Sequence, residues 1–133
     1  MEMLILSSFG FKYGVPLDVN YAFDVRFIPN PFYVAELKPL TGMDEPVKKY
    51  IESFEDTGAF LASSIFFLDF VIPRYFKAGR RPLHVAIGCT GGRHRSVAVT
   101  EWLGGHYRKI SSDPGAGFSV ELRHRDIGKD QEV

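Results

Sequence analysis

The sequence predicts an α/β domain built on a mostly parallel sheet with helices on both faces. Three observations predict it: short apolar runs alternate with longer amphipathic ones, the apolar runs are continuous in the manner of strands buried on both sides, and Gly, Pro, Asn and Asp mark the junctions. Strand, helix, strand in that order implies parallel pairing through right-handed crossovers.

Met3–Phe9 and Tyr21–Val25 are β-rich apolar runs bounded by turn formers, and read as buried strands. Pro16–Asn20, between them, fits a short helical turn or loop. Phe27–Thr41 contains Pro29, Pro31 and Pro39, each of which biases its predecessor away from helix, so an ordered but irregular excursion is expected. Long irregular loops are often functional. Asp44–Phe54 reads as a helix with Pro46 in its first turn, where a missing N–H costs little. Asp56 or Thr57 can cap a longer helix whose stripe is Leu61, Ile65, Leu68 and Ile72. Gly79–Pro82 breaks the chain before the central strand, Leu83–Gly88. Ser96–Arg108 is the following helix, Ile110–Gly117 a Ser-, Pro- and Gly-rich flexible loop, and Phe118–Arg123 a final strand by its alternation.

The most informative segment is Cys89-Thr90-Gly91-Gly92-Arg93-His94-Arg95-Ser96, which joins the central strand to the next helix. Backbone N–H groups of a glycine turn opening onto a helix N-terminus point at an anion, and Thr90, Arg93 and Arg95 can add side-chain donors. The loop after the central strand is therefore expected to bind phosphate. It is not a Walker A loop, because counting from Gly88 the sixth position is Arg93 rather than Gly and no Lys follows. Cys89, five residues, Arg95 and Ser96 do match the spacing of Cys-dependent phosphatases, in which a thiolate attacks phosphorus. Such an enzyme needs a general acid, for which Asp24 is the candidate. Binding without catalysis is the preferred reading, with the phosphatase and a merely structural turn as alternatives.

In an open parallel sheet, ligands bind beyond the C-terminal strand ends. Gly10–Gly14, Asp24–Arg26, Cys89–Arg95 and His124–Asp126 all follow strands at that edge, which gathers Lys, Arg, His and Asp where core packing has no use for them. The N–H groups of Gly91 and Gly92, the Thr90 hydroxyl and the Arg95 guanidinium suit a phosphate. His94 either touches the ligand or caps the helix. Asp24 and Arg26 either hold ligand hydroxyls or an ammonium, or pair with each other to fix the Pro29–Pro31 loop. Lys12 and Arg125 add positive charge there or are solvated. For Cys89, packing as a small buried hydrophobe is favoured over reactivity, unless the thiol points into the cradle.

Four blocks, Ser8-Phe9-Gly10-Phe11-Lys12-Tyr13-Gly14, Asp24-Val25-Arg26-Phe27-Ile28-Pro29-Asn30-Pro31, Leu40-Thr41-Gly42 and Gly88–Ser96, taken together and in this order, resemble the C-terminal domain of the RapZ family of RNase adaptor proteins. The resemblance covers nearly the whole chain, residues 1–126, leaving 127–133 as a tail. It implies a sensor for the amino-sugar phosphate glucosamine 6-phosphate, within a protein that governs decay of a small regulatory RNA and acts with RNA or an RNase partner. Full-length members also carry an N-terminal P-loop domain, whereas this chain starts almost directly on its first strand. It departs from many relatives by carrying Tyr13 and Phe32 where they have His, and it lacks the basic tail of the enterobacterial ones.

Composition agrees with one compact module of 133 residues, 45% hydrophobic and 24% charged. With 16 basic and 16 acidic residues there is no global drive toward nucleic acid or an anionic membrane, so any RNA contact needs a local patch. One cysteine forbids an internal disulfide and fits a reducing interior; no run reaches about 18 consecutive apolar residues and no signal peptide is expected, so the cytoplasm is the expected location. No cofactor and no metal is called for. Twelve phenylalanines exceed what one small core needs, and Phe66, Phe67 and Phe70, partly off the helical stripe, point to a homo-oligomer.

Overall fold

The computed structural model describes residues 2–80 and 82–129. Its strands are β1 (Glu2–Gly10), β2 (Tyr21–Asp24), β3 (Leu83–Cys89) and β4 (Phe118–His124), and its α-helices α1 (Glu45–Glu52), α2 (Glu55–Lys77) and α3 (Arg95–Ser111). All strand pairs are parallel, in the order β2-β3-β1-β4. The expected strands and helices are all present. The two interior strands, β1 and β3, are buried almost end to end, which is why they read as unbroken apolar runs.

Connection direction explains how the layers form. The links from β2 to β3 and from β3 to β4 run one way across the sheet, and the link from β1 to β2 runs the other way. With right-handed crossovers, the first two must share a face and the third must take the opposite one. Leu4, Leu6, Leu83, Val85, Ile87 and Leu122 share a face by register and form one core with Val47 and Ile51 of α1, Leu68 of α2 and Leu103 of α3. Of the helical cover expected on both faces, the second receives only a single 3-10 turn, Phe11–Tyr13, and the loop after it. There Phe11 packs edge-on to Phe9 at 4.8 Å, and Ser7 hydrogen-bonds His84 at 2.7 Å. The strands thus end together at one edge, with β3 running directly into the loop that precedes α3.

Some boundaries differ from expectation for local reasons. α2 starts at Glu55, and Thr57 does not cap it; the Thr57 hydroxyl donates to the Ile51 carbonyl of α1 at 2.8 Å, tying the two helices. α3 runs on to Ser111, taking the first residues of the expected loop into its last turn, where Arg108 and Lys109 favour the helix dipole. Pro16–Asn20 is loop, and Asn20 prolongs the edge pairing by exchanging bonds with His84, its N–H donating to the carbonyl and its side chain accepting from the N–H. α2 is also long and apolar enough to cross a membrane by length and composition alone. Its inward face is buried in the core, and Phe66, at 82% exposure, stands out from it with Phe70.

Adjacent glycines in α3 separate packing from propensity. A Cβ on Gly105 meets nothing, so Gly105→Ala should stabilise by about 0.5–1 kcal/mol. A Cβ on Gly104 runs into the Leu122 side chain, so Gly104→Ala should cost about 1–3 kcal/mol. Denaturant midpoints of the two variants should move in opposite directions.

Candidate functional site

A cleft of about 240 Å³ lies at the C-terminal strand edge, lined by Lys12, Asn30, Phe32, Tyr33, Cys89, Thr90, Gly91, Arg93, His94 and Arg95. Its floor is the turn between β3 and α3. Gly92 takes a φ of +74°, which turns the chain at little cost only for glycine. The turn packs directly on the end of β1: Gly10 has no room for a Cβ, which would lie 2.6 Å from the Gly91 carbonyl oxygen and 2.8 Å from the Gly92 nitrogen. No hydrogen bond among the described residues uses the N–H groups of Gly91, Gly92 or Arg93. These donors sit at the N-terminus of a 17-residue helix, so the dipole adds to them.

The basic side chains of the turn are engaged with backbone carbonyls. Arg95 donates to the carbonyls of Arg26 and Ile28 at 3.0 and 2.7 Å, His94 donates through Nε2 to Leu37 at 3.1 Å, and Arg93 reaches Pro39 and Leu40 at 2.6 and 3.0 Å. Three consecutive residues thus satisfy five carbonyls of the irregular 26–40 segment, whose backbone has no ladder of its own. Arg93 also reaches the Ile127 carbonyl. The clamp holds Asn30, Phe32 and Tyr33 over the cleft, where the Asn30 side chain caps a 3-10 turn at Pro31–Tyr33.

Arg95 differs from its neighbours. Only 4% of it is exposed, no carboxylate of the described residues pairs with it, and Nε has no hydrogen-bond partner. Its remaining amino group reaches the Thr90 hydroxyl at 3.3 Å. Burial pulls the guanidinium pKa down, which reports the cost of keeping this charge out of water. A buried, incompletely satisfied guanidinium on a cleft wall can chemically accommodate an anion.

Not every expected ligand lies in the cleft. Asp24 and Arg26 form a two-pronged ion pair on the surface with a shortest separation of 2.7 Å, and Arg26 stacks on Phe11. Neither lines the cleft, and the Arg26 guanidinium holds the Asp24 carboxyl below the usual range. Asp24 is therefore ionised near neutral pH and has no proton to give. Arg125 is turned away to the Gly14 carbonyl and Asp126. Lys12, Thr90, Gly91, His94 and Arg95 do share the cleft, and Gly92 shapes it from behind. Cys89 lies 2% exposed on the lining, with its sulfur 3.1 Å from the Ser96 hydroxyl and 3.4 Å from the Ser96 nitrogen.

Three contributors have no role assigned to them by the sequence alone. Asn30 and Tyr33 sit in the excursion flagged as functional, but nothing local distinguishes them. Asp126 is the third: fully buried, it accepts from the Gly10 N–H at 2.8 Å and binds Arg125 and Lys129, fixing the strand end under the turn. Burial alone would raise its carboxyl, but these three donors outweigh burial and hold it below the usual 3.8. Its depressed folded pKa means a contribution to stability present above about pH 4 and lost as pH falls through the folded value. His94 and His84 are depressed by burial, so their neutral forms favour folding and protonation of the unfolded chain removes stability as pH falls below 6.5. Thermal unfolding should show a decline from pH 7 to 5 and a second below pH 4, the latter reduced in Asp126→Asn.

A parallel α/β domain with a glycine turn and a cleft between its central strand and the following helix is the class that fold and site define. The profile of the RapZ C-terminal domain matches residues 2–128, and the chain belongs to that family. It is 53% identical over 123 residues to a nucleotide-binding protein of Clostridium perfringens (strain SM101 / Type A), covering 92% of this chain and 40% of the relative. Similar nucleotide-binding proteins occur in Desulforudis audaxviator (strain MP104C), 47% identical over 123 residues with the same coverage, and Bacillus thuringiensis (strain Al Hakam), 48% over 122 residues, 92% of this chain and 39% of the relative. The chain thus spans about 40% of these relatives' length.

Proposed function

We propose that the chain is a binding module for a phosphorylated amino sugar resembling glucosamine 6-phosphate, with a regulatory role in amino-sugar metabolism or RNA decay. The observation that carries this reading is Arg95, buried with no carboxylate partner among the described residues on the wall of a cleft floored by unused backbone donors. The phosphate would take the Gly91 and Gly92 N–H groups, the Thr90 hydroxyl and Arg95. Phe32 and Tyr33 offer aromatic surface to a sugar ring, and Asn30 a polar group for a hydroxyl. Because no carboxylate of the described residues lines the cleft, the ligand's ammonium would be read by neutral acceptors, and discrimination from glucose 6-phosphate would rest on them.

A Cys-dependent phosphatase is the second reading, favoured by the Cys89 sulfur at the Ser96 donors. The ion pairing of Asp24 deprives it of its candidate acid. The proposal further places the chain in the cytoplasm, self-associating through the exposed Phe66 and Phe70 and passing the cleft's state to an RNA or RNase partner. An amide NMR titration with glucosamine 6-phosphate tests the core of the reading. Shifts centred on residues 90–95 support it, and shifts elsewhere, or none, refute it. Steady hydrolysis of an aryl phosphate that vanishes in Cys89→Ser would favour the enzyme.

A further inference from the structure

The single cysteine of this chain is 2% exposed and packs in the hydrophobic core, yet it also touches the cleft lining. Its sulfur ends β3 beneath the first turn of α3, takes the Ser96 N–H and contacts the Ser96 hydroxyl, and interacts with the Arg95 guanidinium. Arg95 supplies the independent sign of a ligand: nine-tenths buried, it keeps Nε without a partner, and it shares the cleft wall with Cys89. The sulfur borders the same helix N-terminus and the same arginine that would meet a phosphate, so an adduct on sulfur and a bound anion would contend for one space.

We infer that Cys89 is a modification site for small peroxides and electrophiles that enter through the anion cleft, and that modification and anion binding exclude one another. The inference rests on the cleft being an anion site. With hydrogen peroxide, the thiolate attacks one peroxide oxygen, an S–O bond forms and the O–O bond breaks. Sulfur gives up two electrons, and the departing hydroxide takes a proton to become water, leaving a sulfenic acid. The chain has no second cysteine to condense with, so reversal requires an external thiol, which forms a mixed disulfide and releases water. The added oxygen then lies among the donors the phosphate would use.

The test is intact-mass measurement of alkylation and oxidation rates, with Cys89→Ser run in parallel so that mass added to the three methionines and other side chains is subtracted and the difference reports on Cys89. Iodoacetate, iodoacetamide and hydrogen peroxide are compared on the folded chain, on the chain in urea, and on the folded chain saturated with inorganic phosphate, with phosphate binding measured by calorimetry on the same sample. The expected result is a preference for anionic iodoacetate over iodoacetamide about fivefold or more above that of the unfolded chain, and slowing of all three reagents by about tenfold or more under saturating phosphate. Folded-state rates about a hundredfold or more below the unfolded rates overturn the inference, because they define a thiol sealed in the core. Phosphate that binds without protecting Cys89 overturns it too. If phosphate fails to bind, the cleft reading falls, and the folded-to-unfolded rate ratio alone decides the reactivity of Cys89.

Discussion

Arg95→Ala is expected to abolish binding of phosphate monoesters, raising Kd by about 10²–10³-fold, because a guanidinium meeting a phosphate through paired charge-assisted bonds contributes about 3–4 kcal/mol. The fold should survive. The substitution removes a buried charge that has no carboxylate partner among the described residues, which favours the folded state, and leaves the Arg26 and Ile28 carbonyls without donors, which opposes it. Arg95→Lys sharpens the result. A point charge replaces a planar fork, so some affinity should return while the carbonyl clamp stays broken. Calorimetry for affinity and circular dichroism for folding check both variants. Unchanged affinity in Arg95→Ala would place the phosphate elsewhere.

The largest effect on folding is expected at Gly92. Its φ of +74° is unfavourable for any side chain, and a Cβ there would lie 2.5 Å from the Gly10 nitrogen, 2.8 Å from the Phe9 carbonyl carbon and 2.9 Å from the Asp126 Cβ. Two of these are backbone atoms of β1 and cannot rotate away. Gly92→Ala should therefore cost about 3 kcal/mol or more, a large share of the about 5–15 kcal/mol typical of a domain. Because the turn and β1 must separate to admit the methyl, affinity for phosphate should fall with stability. Chemical denaturation measures the first and calorimetry the second. Gly58 is the control: it is exposed in α2 with open space around it, so Gly58→Ala should leave affinity unchanged.

Elements defined by local pattern were legible in the sequence. The apolar runs of β1 and β3 are buried almost throughout, the alternation of Phe118–Arg123 lies within β4, and of the Leu61, Ile65, Leu68 and Ile72 stripe the last two are buried in the core and the first two pack against it. The glycine turn before a helix was legible as well, because its residues are contiguous. What stayed hidden depends on contacts distant in sequence. Nothing near Arg93, His94 or Arg95 shows that their side chains are engaged by carbonyls more than fifty residues away. Nothing near Asp126 shows that Gly10 awaits its carboxylate. Asp24 and Arg26 carried two readings, and the ion pair between them matches the one in which they fix the loop. The one-sided distribution of α-helices follows from strand order, which pattern alone does not reveal: had β2 lain on the other side of β1, the same elements would cover both faces.

The central claim is that the cleft is built around a phosphate ester carried by a sugar. Calorimetric titration with glucosamine 6-phosphate, glucosamine and inorganic phosphate tests it most directly. The account predicts saturable binding of the sugar phosphate, weaker binding of phosphate, and no binding of the unphosphorylated amino sugar. Binding of glucosamine as tight as that of its phosphate, or no heat from any of the three, would contradict it.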